Sequence, residues 1–284
     1  MEERPLIIFT LLLQAAAGAA WGLAGMTFWL TAQGDPASAQ ALAARGWPVI
    51  AGLAVAGVLA SSAHLGVLAH AWRAASNWRT SWLSREILAV LAFTGAALGA
   101  ALAPRVAGCP PLVATLAQGL ALGSAPALVR AMAGAYRLGP VPAWNSGFTP
   151  AGFTVTALLL GGLTVAALLA GLPGTAVTGR AWPGLTAGAE VLAGLSLGLT
   201  ALWLARLPVD LRAALLDRHR LLILGRFSLG LLGLGAAGLG LLPGGPGAPL
   251  WRLAAMAACS GSEALGRALF YAGRLAHGVY RYQG

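Results

Sequence analysis

Long apolar runs alternate along this chain with short polar or Gly/Pro-rich connections. Eight of the runs approach or exceed the roughly 20 apolar residues that a helix needs to cross hydrocarbon: Leu6–Leu30, Trp47–His70, Leu83–Ala103, Leu112–Ala133, Thr149–Gly171, Trp182–Ala205, Leu221–Leu242 and Pro249–Ala272. Helix-breaking residues separate them, at Gly34-Asp35-Pro36, Pro110-Pro111, Gly139-Pro140-Val141-Pro142, Gly171-Leu172-Pro173-Gly174 and Pro243-Gly244-Gly245-Pro246. In lipid every backbone polar group must be bonded within its own segment. The pattern therefore predicts an all-α polytopic membrane protein, a bundle of eight transmembrane helices forming one integral membrane domain over residues 1–284. Trp29, Trp47, Trp182, Trp203 and Trp251 fall at the predicted span ends, where an aromatic belt is expected.

Composition agrees with that pattern. Only 9% of the residues are charged, 58% are apolar, and the mean hydropathy is +0.77, values outside the range of a soluble globular domain. The first run is too long for the core of a signal peptide and is read as retained. All 18 basic residues are arginine and face eight acids, for a net charge of +10. On a soluble protein such an excess points to nucleic acid. Here the arginines cluster at the ends of apolar runs, where they meet headgroups or protein partners, so no nucleic-acid role is expected. Cys109 and Cys259 are far apart and lack any metal-ligand spacing, and no metal site is expected.

Small residues dominate the spans. Pairs such as Gly161-Gly162, Gly194/Gly198 and Gly230/Gly233 let helix backbones approach closely. The chain has no convincing internal repeat, which counts against an inverted-repeat transporter. With eight spans, one face holds the termini and twelve arginines, and the other holds Arg45, Arg105, Arg180 and Arg252. That asymmetry predicts cytoplasmic termini, although docking of an acidic partner produces the same excess.

Chemistry is most concentrated between Ser61 and Glu86, where His64, Arg73, Arg79, Arg85, Trp72, Trp78, Trp82 and Glu86 gather between two apolar runs. His64 lies near the end of the second span and Glu86 opens the third, so a helical hairpin brings both to one membrane face. Redox chemistry at a lipid-soluble quinone needs an imidazole to bond one quinone oxygen and a carboxyl to hold and pass a proton. The bland readings stand beside this one: His64 bonding a neighbouring helix, and Glu86 stabilising a helix start capped by Ser84. Glu263 and Arg267 lie four apart in the last span, the spacing of an intrahelical ion pair. Glu190 and Arg226 are single charges within spans six and seven and should face the bundle interior, as members of a proton path or as polar packing contacts. His64, His70, His219 and His277 supply no obvious facing pair, so no haem is expected.

These segments resemble the membrane anchor subunit of the dimethyl sulfoxide reductase family. The likeness runs through Arg4-Pro5-Leu6-Ile7-Ile8-Phe9-Thr10 with Gln14, Ser62-Ala63-His64-Leu65-Gly66, Ala71-Trp72-Arg73-Ala74 and Leu83-Ser84-Arg85-Glu86-Ile87. It continues through Tyr136-Arg137-Leu138, Pro142-Ala143-Trp144-Asn145 and Glu263-Ala264-Leu265-Gly266-Arg267-Ala268-Leu269-Phe270-Tyr271. The resemblance implies a subunit of the bacterial cytoplasmic membrane that holds an iron–sulfur subunit and a molybdopterin catalytic subunit, and exchanges electrons with menaquinone or ubiquinone. It implies quinone contact at His64 and Glu86, with Ser62 and Arg73 beside them, and partner docking at Arg73, Arg79, Arg85 and Arg137. Iron–sulfur clusters and molybdopterin belong to the partners. The Ala71–Glu86 segment also looks like anchors of cytoplasm-facing, quinone-linked sulfite dehydrogenases, in which electrons run into quinone. A stand-alone transporter using Glu190, Arg226 and Glu263 is the rival from another class.

Overall fold

The computed structural model of the chain describes residues 4–62, 77–172, 176–241 and 248–280. Among these residues there is no strand, and nine α-helices follow in order: α1 (Arg4–Ala32), α2 (Pro36–Ser62), α3 (Trp82–Leu102), α4 (Pro111–Ala135), α5 (Phe148–Ala170), α6 (Ala176–Arg206), α7 (Val209–Arg218), α8 (Arg220–Leu241) and α9 (Ala248–Tyr280). Seven of the described helices are long and apolar enough to cross a membrane. The eighth predicted run lies in α9, which is 33 residues long but carries Arg252, Glu263, Arg267 and Arg274 and falls outside those seven.

Local chemistry explains where the helices start and stop. α1 ends at Gly34, whose φ of 80° continues the chain in a conformation that costs other residues more. The Gly34 N–H donates to Thr31 O, and the Asp35 N–H to Leu30 O, both at 3.0 Å, the two bonds of a Schellman cap. Asp35 then caps the next helix, its Oδ1 accepting from the Ser38 N–H at 3.0 Å, with Pro36 in the first helical position. This cap starts α2 eleven residues before the apolar run at Trp47, because a helix needs a cap and satisfied carbonyls, not apolar side chains, to begin. The polar α7 went unforeseen because ten residues are too few for a span. Its buried Leu211 and Leu215 share one face, and Asp210 and Arg218 complement its dipole.

The chain forms two compact units. The first comprises residues 1–135 and 157–182, the second residues 136–156 and 183–284. In the first unit α1 packs along α2, and α3 along α4, with further packing of α2 on α3 and of α1 on α4. The stretch Leu13–Ala20 of α1 is buried at every position, and six of its eight residues are alanine or glycine. Small side chains let neighbouring backbones close on it from all sides, since lipid itself gives helices no hydrophobic reason to associate. The closest approach is between Gly18 of α1 and Gly161 of α5, where a Cβ on either would overlap the backbone of the other helix.

In the second unit α9 packs along α8 and touches α7. Indoles expected in an aromatic belt serve packing instead at two positions. Trp47 and Trp203 are buried, and the Trp203 Nε1–H donates to Ala143 O at 2.7 Å. A buried indole needs an acceptor, and the loop of residues 136–147 provides it.

Gly161→Ala is expected to destabilise the protein by about 1–3 kcal/mol through overpacking. Gly162→Ala, where an added methyl meets nothing within 4 Å, should be neutral or slightly stabilising. Thermal denaturation in detergent compares the two, and equal shifts would contradict the α1–α5 contact.

Candidate functional site

In the first unit, a tight turn delivers the chain into α3. Thr80 and Ser81 both donate their N–H groups to Asn77 O, at 3.2 and 3.0 Å. Ser81 is extended (φ −101°, ψ 123°) and its Oγ accepts from the Ser84 N–H at 3.3 Å. The cap is therefore Ser81 and not Ser84, which lies buried inside the first turn. Arg85 fastens the turn to the helix by donating Nε–H to Trp78 O at 2.8 Å and Nη2–H to Arg79 O at 2.7 Å.

Trp82 is the fixed point of this region. Its ring carries the Arg85 guanidinium at 4.6 Å and that of Arg130 from α4 at 4.5 Å, and it occupies the space a Cβ on Gly134 would take. Two cation–π contacts and a glycine seat thus lock the start of α3 against the end of α4. One turn further along, Glu86 is 5% exposed, and its Oε1 has no hydrogen-bond partner among the described residues. A buried carboxyl oxygen without a donor is costly unless something else meets it, so Glu86 is the candidate reactive group of this unit.

The structure gathers Arg79, Arg85 and Glu86 around the start of α3. Arg79 is exposed, with its guanidinium 5.4 Å from the Trp78 ring. His64 and Arg73 lie outside the described residues; Ser62 ends α2, and its side chain lies outside them too. Arg137 is exposed at the opening of the second unit.

The second unit holds a buried polar centre. Arg226 of α8 and Glu263 of α9 form a salt bridge of 2.8 Å with side chains 3% and 4% exposed. Glu263 also accepts from Thr156 of α5 and Ser196 of α6, each at 2.6 Å. Arg226 donates further to Ser196 at 2.6 Å, Ser262 at 3.2 Å and Thr200 at 3.3 Å. Four helices thereby meet at one carboxylate, beside a cavity of about 80 Å³. Arg267, the expected i,i+4 partner of Glu263, stands with its guanidinium 3.8 Å from the Phe153 ring centroid. Glu190 is half-buried on α6, and its Oε1 has no partner among the described residues.

Two sequence motifs that lie far apart touch here. Trp144 stacks on Phe270 with ring centroids 5.3 Å apart and donates its Nε1–H to Phe270 O at 2.7 Å. Tyr136 and Tyr271 share a hydroxyl hydrogen bond of 2.6 Å. Sequence spacing finds i,i+4 neighbours but not a partner 37 residues away, so the role of Arg226 as the counter-ion of Glu263 was missed. The usable signal was that each is a lone charge in an apolar helix and must find an opposite. Between α7 and α8, His219 is held below the ordinary imidazole range by partial burial and then by Arg218. The basic charge of that segment therefore rests on Arg212, Arg218 and Arg220.

Residues 1–203 match the family described as DMSO reductase anchor subunit (DmsC). An 82-residue stretch is 43% identical to a sulfite dehydrogenase subunit from Allochromatium vinosum. It covers 29% of this chain and only 25% of that relative, so the match spans about a quarter of the relative's length. No solved structure matches the chain significantly.

Glu263→Gln or Arg226→Met, each leaving one polar group of the centre unpaired, is expected to cost about 3–5 kcal/mol. The double replacement Arg226→Met with Glu263→Leu should recover most of that loss. Denaturation of the three variants in detergent measures the coupling, and strict additivity would contradict a direct pair.

Proposed function

Since the chain belongs to the DMSO reductase anchor subunit family, we propose that it is the quinone-reactive anchor of a molybdenum iron–sulfur oxidoreductase. The observation that carries this reading is Glu86: a buried carboxyl whose Oε1 has no donor among the described residues, one turn into a helix whose start is clamped in place. A quinone head fits such a group, because its carbonyl or hydroxyl oxygens exchange protons with a carboxyl. When bound, quinone supplies two-electron, two-proton redox chemistry. Glu86 holds or releases the proton, and the His64 imidazole bonds the opposite oxygen, with Ser62 and Arg73 beside them. Electrons pass to an iron–sulfur subunit and from there to or from a molybdopterin catalytic subunit.

The exposed arginines Arg79, Arg85 and Arg137, together with Arg73, form the docking surface for an acidic face of the iron–sulfur subunit. The packing of Arg85 and Trp82 presents Arg79 and Trp78 on a rigid turn, which lowers the entropy lost on binding. Family membership favours this anchor over a stand-alone transporter, and the salt bridge of Glu263 with Arg226 gives those charges a packing role. We read α9 as the eighth span of a single integral membrane domain in a bacterial cytoplasmic membrane. Its 33 residues extend about 50 Å, and pairing with Arg226 masks its one carboxylate. With eight spans and the arginine asymmetry, the termini lie in the cytoplasm.

A second reading concerns the direction of flow. The 43% identity to part of a sulfite dehydrogenase anchor-type relative favours a cytoplasm-facing complex in which electrons from a donor such as sulfite enter quinone, over one in which quinol reduces an S- or N-oxide.

In the purified complex, His64→Ala and Glu86→Gln should each lower quinone-linked turnover by at least about 100-fold. Turnover with an artificial dye at the molybdopterin partner, and co-purification of the partners, should be unchanged. Quinone kinetics equal to the parent in both variants would overturn the assignment.

A further inference from the structure

A groove of about 320 Å³ lies in the first unit between the last turns of α1, the second and third turns of α2 and the beginning of α4. It is remote from Glu86. Gln118 lines the groove near the start of α4, whereas Gly134, which seats the Trp82 ring at the start of α3, lies sixteen residues later in α4. That separation is about 24 Å along the helix, most of a hydrocarbon thickness. The groove therefore opens near the opposite membrane face of this unit. Its volume falls in the range of small-ligand sites, about 300–1,000 Å³.

The walls are apolar and aromatic, formed by Phe28, Leu23, Leu122 and the face of Trp47. The polar groups are neutral and unevenly used. Thr27 and Thr31 donate their hydroxyls within α1, to Ala24 O at 3.0 Å and Thr27 O at 2.8 Å. The Gln118 carboxamide, half-buried, makes no hydrogen bond among the described residues, and neither does the Trp47 indole N–H. A carboxamide in an apolar groove seeks an acceptor or donor. At the rim, Arg105 donates to Ala44 O at 3.1 Å, next to the groove-lining Ala43, and also caps α3 at Ala101 O. Arg45, on the same end of α2, is held by Gly171 O.

We propose that this groove is a binding site for an anionic glycerophospholipid. No other common membrane component joins an apolar chain, ester carbonyls and a phosphate in that order. The acyl chain lies along Phe28 and Leu122, an ester carbonyl accepts from the Gln118 amide or the Trp47 indole, and the phosphate meets Arg105. Bound in this way the lipid bridges α1, α2 and α4, at the end of the unit where no ion pair of the Arg226–Glu263 kind is found among the described residues.

Native mass spectrometry of the full chain in mild detergent, titrated with phosphatidylglycerol, tests the site. The parent is expected to retain one lipid. Gln118→Leu should weaken binding about five- to tenfold, and Ala24→Phe, which fills the groove, should abolish it. Arg105→Gln should remove the preference for phosphatidylglycerol over phosphatidylcholine. Circular dichroism checks that each variant keeps its helicity, and should Ala24→Phe fail to fold, the near-isosteric Gln118→Leu carries the test. Equal affinity in the parent and Gln118→Leu would overturn the proposal. So would retention of an isoprenoid quinone in place of the phospholipid.

Discussion

Hydrocarbon offers no partner to a charged side chain, so Arg226 and Glu263 can remain in apolar helices only by satisfying each other. They do so at 2.8 Å, with Thr156, Ser196, Thr200 and Ser262 taking most of the remaining hydrogen-bonding capacity. Because these groups come from α5, α6, α8 and α9, the network sets the register of four helices at once. Sliding any one of them by a turn would strand a charge in lipid, at a cost of several kcal/mol. Apolar packing alone gives no comparable penalty, since Leu against Leu and Leu against lipid are nearly equivalent. The second unit owes its specificity to this polar centre, and the aromatic cluster of Tyr136, Trp144, Phe270 and Tyr271 extends it toward the loop of residues 136–147.

The first unit solves the same problem by shape. Its central helix is a run of alanine and glycine buried all round, with Gly18 set directly against Gly161. Dispersion contacts between closely approaching backbones take the place of ion pairs, and polar groups are left available for other work. Glu86 illustrates the difference. Glu263 accepts three hydrogen bonds from its neighbours, whereas Glu86, equally buried, has one oxygen without a donor among the described residues. A saturated carboxylate is held in one state and stabilises; an unsaturated one is free to exchange a proton. Two glutamates of similar burial therefore serve different ends, and the surrounding donors decide which.

Rigidity around the reactive group comes from cation–π contacts and backbone acceptors, with no ion pair involved. Arg85 spends its donors on Trp78 and Arg79 carbonyls while lying over Trp82, and Arg130 reaches the same ring from α4. Guanidinium groups suit this task because they remain charged, stack on rings and still reach carbonyls in their own plane. This is a physical reason for an all-arginine chain at a membrane face.

Much of this organisation was legible in the order of residues. Helices long enough to span a membrane follow from apolar runs and the ban on unsatisfied backbone in lipid, and Glu86, Glu263 and Arg226 stand out as charges that such helices carry only for a reason. Helix starts were less legible, because caps such as Asp35 and Ser81 depend on a few local hydrogen bonds that hydropathy does not register. Tertiary structure alone decided the partners: that Glu263 answers to Arg226 and not only to a neighbour on its own helix, that Trp203 points at Ala143 and not at lipid, and that Gly18 meets Gly161. The physical reason is the same in each case. Period and composition specify which face of a helix is polar or small, but which other helix meets that face is fixed only when the bundle closes and every buried donor must find its acceptor.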